Sequence, residues 1–278
     1  MKARLQGGRR ELCVDLEHPL DLSIELDPEG PQPRHFGAPR AAAHPYSAPG
    51  FSGSVAGGAS CNCQSITLIP HCNGTHTECV GHLTREPLHA QRIVSRALLP
   101  ALLLSATPVP PERTRESSDP PPHRGDRLVT RTALQSSWPA EPPFAPRAVV
   151  IRTLPNDPAR RTRDYTDTTP PYLTREAAQF LVEQGIEHLV VDLPSIDRAH
   201  DEGRLTAHRL FFGLPPGSST LACAARPRCT ITELAYVADE ATDGPYFLQL
   251  QVPAINGDAV PSRPLLYCLS DRDTGARS

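Results

Sequence analysis

Residues 71–82 (HCNGTHTECVGH) gather three histidines, two cysteines and one carboxylate around Gly74-Thr75. No other stretch of the chain concentrates so many metal-competent groups. Cys72 and His76 are four residues apart, His76 and Glu78 two, Glu78 and His82 four. On an extended segment His76 and Glu78 point to one side. Gly74 permits a tight turn that brings Cys72 onto the same side. Imidazole, thiolate and carboxylate together suit a divalent transition metal such as zinc, and His82 beside them could move protons. A His-rich turn held by structural hydrogen bonds would present the same residues, so spacing alone leaves both readings open. So do a thiolate nucleophile at Cys72 or Cys79 with His76 or His82 as its base, and a structural zinc on Cys61, Cys63, Cys72 and Cys79. The C-x-C spacing makes that last site awkward.

The surrounding elements must position these groups. Residues 63–69 (CQSITLI) read as a strand that delivers the chain to His71. Before it, 27–58 is rich in Pro, Gly and Ala, has no period, and carries His35-Phe36 and His44-Pro45-Tyr46. Such a long loop either walls a pocket or runs over the surface. Residues 12–26 read as one or two short strands broken by Pro19, and 86–104 as strand or helix. Residues 107–125 form an exposed Pro-rich insertion, and 126–134 a strand. The second half is more regular. A buried strand at 148–154, a helix at 175–184 and a strand at 186–193 make a βαβ-like unit. Thr174 is the helix N-cap, with Glu176 in the first turn and Gly185 just past the end. Residues 194–197 leave the last strand as a loop, a place where site residues gather. Residues 230–237 read as a strand that sets Glu233 among apolar neighbours. Residues 247–252 pair with 264–269 through a turn at Asn256-Gly257-Asp258. His188 reads as a packed or solvent-facing histidine, as do His18, His44, His89, His123 and His200.

The totals set limits. A chain of 278 residues buries a real core, and a net charge of −3 makes no electrostatic case for nucleic acid or an anionic membrane. The longest apolar run, 97–106, contains Pro100 and Ser105 and is too short to span a bilayer. Residues 1–20 carry basic groups but no apolar core of a signal peptide, so the expectation is a cytoplasmic protein. Eight cysteines in that setting read as thiols or metal ligands rather than bridges. The 32 prolines cluster and mark loops.

In the order of its motifs the chain resembles the cyclase-like metal-dependent hydrolases, the family of bacterial kynurenine formamidase and isatin hydrolase. Their signature reads His-x-Gly-Thr-His-x-Asp-x-Pro-x-His. Alignment on Gly74-Thr75-His76 sets Cys72 at the first His, Glu78 at the Asp, Val80 at the Pro and His82 at the last His. Val14-Asp15-Leu16 and Asp21-Leu22-Ser23 are similar to the family's opening Asp-Leu-Ser strand. Gly185-Ile186 through Asp192-Leu193-Pro194-Ser195-Ile196-Asp197 is similar to its Gly-Ile strand and Asp-x-x-Ser-x-Asp turn. Leu205-Thr206-Ala207-His208 and Glu233-Leu234 complete the series. The resemblance spans 12–269, with 1–11 and 270–278 as flexible tails. It implies an α/β (α+β) fold, a swivelling β/β/α single domain with Pro-rich loop insertions. It implies Cys72, His76, Glu78, His208 and Glu233 as ligands of one or two zinc or manganese ions, and His82 as the acid/base. Phe36 would contact an aryl substrate. The implied activity is arylformamidase-like hydrolysis of a carbon–nitrogen bond in a small amide, formamide or cyclic amide, by a homodimer or larger homo-oligomer. The chain departs from the signature at Cys72, Glu78 and Val80. A thiolate softens the site, and Glu reaches about one methylene further than Asp. His71 would need a local register shift to replace Cys72. The departures leave a second outcome, a non-catalytic or metal-free binding protein on the same fold.

Overall fold

The computed structural model describes residues 1–7 and 10–270. Most of the tail expected at 270–278, and residues 8 and 9 of that expected at 1–11, lie outside them. Among the described residues eleven strands form the main sheet. They are β1 (Lys2–Gly7), β2 (Arg10–Asp15), β3 (Leu20–Asp21), β4 (His76–Cys79), β5 (Leu99–Ala106), β6 (Ala148–Thr153), β7 (His188–Val191), β8 (Thr230–Glu233), β9 (Gly244–Gln249), β10 (Ala259–Pro261) and β11 (Leu265–Ser270). Their order is β1-β2-β11-β9-β5-β6-β7-β8-β4-β10, with β3 on β11. Neighbours from β5 to β8 run parallel, and β4 and β10 continue the sheet antiparallel. Among the described residues four α-helices accompany the sheet: α1 (Pro70–Asn73), α2 (Arg131–Ser137), α3 (Arg175–Glu183) and α4 (Thr206–Phe212).

Burial with a period of two explains the layering. All six residues of β6 are buried, as a strand covered on both faces requires. Leu102, Leu104, Val149, Ile151, Leu189 and Val191 share one face and pack with Ala177, Leu181 and Phe211 of the helices. Their alternates Ala101, Leu103, Ala148, Val150 and Val190 share the other face and meet Leu22, Tyr246, Leu248 and Leu266. Each large apolar side chain buried in either core contributes about 2 kcal/mol. The fold is thus a mixed α/β single domain on one large sheet, with helices packed on one face of its central strands and residues of its own β9 and β11 packed with the other.

The βαβ unit forms where the sequence put it. Thr174 Oγ1 accepts from Ala177 N (3.0 Å), Gly185 takes a left-handed φ of 72° after α3, and β6 and β7 pair in parallel. Three expectations shift. The strand foreseen at 126–134 is only Leu128–Val129, and α2 follows because Thr130 caps it by accepting from Ala133 N (3.1 Å). The strand foreseen at 63–69 is Gln64–Thr67; it pairs with Ala42–Pro45 outside the main sheet. β9 and β11 do pair antiparallel, but Asn256-Gly257-Asp258 does not close them as a tight hairpin. The connection instead detours to the opposite end of the sheet, where β10 pairs with β4. In the Pro-rich stretch 107–125, the Glu116 carboxylate accepts from Arg131 N (2.6 Å), Thr132 N (3.0 Å) and Thr174 Oγ1 (2.6 Å). It thereby holds the starts of α2 and α3 together.

Candidate metal centre

The centre is built on β4, whose four residues HTEC are all buried. Alternation turns Thr77 and Cys79 to one face, where Thr77 Oγ1 meets Thr232 Oγ1 at 2.7 Å. His76 and Glu78 turn to the other. Glu233 stands directly opposite His76 in the β4–β8 ladder, so its carboxylate joins that face. His76 Nε2 and Glu233 Oε2 are 3.5 Å apart. His76 Nδ1–H donates to the Gly74 carbonyl (2.9 Å), which aims the Nε2 lone pair at the centre.

His208 enters from α4. The loop after β7 places Asp197 so that its carboxylate accepts from Ala207 N (2.7 Å), His208 N (3.0 Å) and His208 Nδ1 (2.7 Å). One carboxylate therefore caps the helix and orients the ring. His208 Nε2 then lies 3.0 Å from Glu78 Oε1 and 3.5 Å from Glu233 Oε1. Glu233 Oε1 also accepts from Ile196 N (2.9 Å). The other end of the same loop is anchored by buried Asp192, which accepts from Thr153 N (2.8 Å) and pairs with Arg160. Burial pushes the Asp192 carboxyl up to about 6.

At this end of the motif the side chain that faces Glu78 is one residue away from the expected Cys72. Gly74 is extended rather than turned, and the bend is α1, one helical turn ending just before it. Consecutive helical side chains diverge by about 100°. His71, not Cys72, therefore faces Glu78, with Nδ1 3.1 Å from Oε2. His71 Nε2 is 2.9 Å from Asp258 Oδ2. Cys72 is buried next door, and its carbonyl accepts from His35 N (3.0 Å). Burial, and secondarily Glu233, push the Cys72 thiol up; burial pushes Cys79 to about 12. Neither is set up as a thiolate. Cys61 and Cys63 are exposed while Cys72 and Cys79 are buried. Among the described residues, no His/Cys/Asp/Glu group close enough to share an ion contains a cysteine.

Those groups are His71-His76-Glu78, Glu78-His208-Glu233 and His71-His82-Asp258. The structure thus brings together His76, Glu78, His208 and Glu233 of the residues singled out from sequence, with Glu78 common to two groups. His82 sits at the rim on a 3-10 turn, its ring 4.2 Å from that of His71 and 6.0 Å from that of His208. Gly81 beside it is sterically required, because a Cβ there would stand 2.3 Å from the Leu88 carbonyl oxygen. Phe36 is 57% exposed and stacks at 3.8 Å on His35. His35 itself is buried with neither ring nitrogen bonded, and burial holds it neutral with a pKa of about 4. His188 bonds Thr230 Oγ1 (2.8 Å) within the sheet.

His71 and Asp258, neither of them among the expected site residues, stand beside Glu78 and His82 in the structure. The first was visible in the motif; the second lies in Asn-Gly-Asp, whose only local signal is a turn.

The carboxylates and imidazoles of the centre hold one another charged. Burial alone would neutralise Glu78 and Glu233, but the histidines around them outweigh it. Glu78 is held well below the usual carboxylate range, chiefly by His208, and Glu233 is held at about 2 by His208 and His76. In return, against its own burial, Glu78 raises His208 well above the ordinary histidine value. Asp258 and Glu78 likewise raise His71 to about 10 despite burial. His76 Nε2 and both Glu78 oxygens are buried and make no well-formed hydrogen bond. Buried carboxylates and imidazoles with vacant lone pairs at this spacing fit a divalent cation, which would replace the imidazolium protons.

The fold has counterparts among known proteins. The family model "Putative cyclase" matches residues 14–198, and the chain belongs to that family. An isatin hydrolase bound to the product analogue thioisatinate aligns with a TM-score of 0.59 and 18% identity, over 91% of this chain and 93% of that one. Isatin hydrolase A from Ralstonia solanacearum gives 0.59 and 16%, over 90% and 91%. The predicted metal-dependent hydrolase from Bacillus stearothermophilus gives 0.54 and 16%, over 90% and 98%. At these identities the solved structures establish the fold. No curated protein matches.

Proposed function

We propose that this protein is a metal-dependent hydrolase that cleaves the carbon–nitrogen bond of a small amide, formamide or cyclic amide, with an N-formyl arylamine as the test substrate. The observation that carries the reading is the buried, unbonded His76 Nε2 and Glu78 carboxylate facing His208, Glu233 and His71. His71, His76, Glu78, His208 and Glu233 would hold one or two zinc or manganese ions; Cys72, at the signature's first position, packs beside them. A bound ion supplies Lewis acidity toward the amide carbonyl and lowers the pKa of water. Asp197 fixes the His208 ring, and the Gly74 carbonyl fixes that of His76. His82, partly buried at the rim, hands a proton to the departing nitrogen. The balance is one amide and one water to one amine and one carboxylic acid. Phe36 and neighbouring loop residues would meet an aryl group. The family resemblance extends the proposal to a homodimer or larger homo-oligomer. Protein purified without chelator should carry close to one equivalent or more of zinc or manganese and release arylamine from the formamide. Less than about a tenth of an equivalent of any transition metal, with no metal-stimulated turnover, refutes the reading.

A further inference from the structure

His71 is 24% exposed on a helix of four residues. A ring in that position is free to swing to solvent unless something holds it. Two carboxylates grip its opposite edges, Glu78 Oε2 at 3.1 Å from Nδ1 and Asp258 Oδ2 at 2.9 Å from Nε2. A cation among His71, His76 and Glu78 requires the Nδ1 lone pair, and the ring proton must then sit on Nε2. Asp258 is the acceptor standing there. Its backbone is rigid: the Asp258 carbonyl accepts from Cys79 N (3.0 Å), the Gly257 carbonyl accepts from Ala90 N (2.9 Å), and Ala259 begins β10 opposite Glu78. A Cβ at residue 257 would stand 2.8 Å from the Ala259 carbonyl oxygen, so glycine precedes the aspartate for steric reasons. Asp258 lies beyond the segment that the family model matches.

We propose that Asp258 is the positioning carboxylate of this centre: it holds His71 Nε2–H so that Nδ1 serves as the ligand that the cysteine at the signature position does not provide. The proposal rests on the metal-centre reading above. Asp258 does not touch the substrate; it acts through His71, and the same Oδ2, 3.4 Å from His82 Nδ1, keeps that ring alongside. Carboxylate partners of metal-binding histidines set ring orientation and ligand basicity.

The test is a double-mutant cycle on zinc affinity, measured by competition with a chromophoric chelator, with the visible spectrum of the cobalt-loaded protein recorded alongside. Asp258→Asn should weaken zinc binding about 10–100-fold and shift the cobalt spectrum. In a His71→Ala background the same substitution should change affinity by less than about threefold, because the residue it acts through is gone. An equal loss in both backgrounds overturns the proposal. Wild-type protein that binds zinc while Asp258→Asn binds equally well overturns it and leaves the metal-centre reading standing. Wild-type protein that takes up neither zinc nor manganese overturns both.

Discussion

His71→Ala and Cys72→Ala set two neighbouring residues against each other as ligands. A four-ligand protein zinc site binds with about 10–16 kcal/mol of apparent free energy. One ligand therefore carries about 3 kcal/mol, or about two decades of affinity at 1.4 kcal/mol per decade. His71 Nδ1 stands 3.1 Å from Glu78 Oε2, whereas the Cys72 sulfur joins none of the ion-sized groups. The expectation is about a 100-fold loss of zinc affinity in His71→Ala and less than a threefold change in Cys72→Ala. The assay is the thermal shift of each variant against its own zinc-free form, which removes any packing effect on the apo protein. With zinc at 100 times the wild-type Kd, wild type and Cys72→Ala gain about 2.7 kcal/mol, and His71→Ala about 0.4. At 2–4 °C per kcal/mol for a domain of this size, His71→Ala forfeits about 5–9 °C of the zinc shift. The reverse order, with Cys72→Ala losing the shift and His71→Ala keeping it, refutes the register argument built on α1.

Three further outcomes follow from the same geometry. His71 and His208 have raised pKa values in the zinc-free fold, His71 at about 10, so their protonation stabilises that fold fully below about 6.5 and ever less as pH rises toward 10. Zinc-free melting temperature should fall across that window while zinc affinity, which requires those protons to leave, rises; a flat zinc Kd between pH 6 and 8 contradicts this. Glu78→Gln should abolish zinc uptake and, by leaving buried imidazoliums without their carboxylate, destabilise the zinc-free protein by about 3–5 kcal/mol in urea melts. His82→Gln should lower kcat by about 100-fold or more with zinc content unchanged, and parallel loss of zinc would recast His82 as a ligand.

Much of the scaffold was legible because its signals are local. Thr174, Glu176 and Gly185 bracket α3, and the apolar run at 148–153 can only be a strand buried on both faces. The pairing of His76 with Glu233 could be anticipated through the resemblance, yet no local pattern joins residues 157 apart. Three points escaped for physical reasons. A single turn of helix at Pro70–Asn73 is too short to have a period, so spacing does not tell which of His71 and Cys72 faces Glu78. The stretch 126–134 mixes β-branched and helix-favouring residues, and the Thr130 cap decides it. Asn256-Gly257-Asp258 has turn chemistry, but where a turn sends the chain depends on β10 finding β4, a distant contact.

That distant contact bears on how the protein is made. β4 lies between β8 and β10, both of which are synthesised long after it; the Thr77–Thr232 bond spans 155 residues. At about 5–20 residues per second, β4 waits on the order of 8–30 s on the ribosome before its first partner exists. During that time its backbone donors and acceptors have no ladder, and His76 and Glu78 cannot yet meet Glu233. The centre is therefore a late event in the birth of the chain. A nascent protein stalled before residue 230 would hold β5 and β6 together and still lack the Glu233 and Asp258 carboxylates that stand by His208 and His71 in the finished fold.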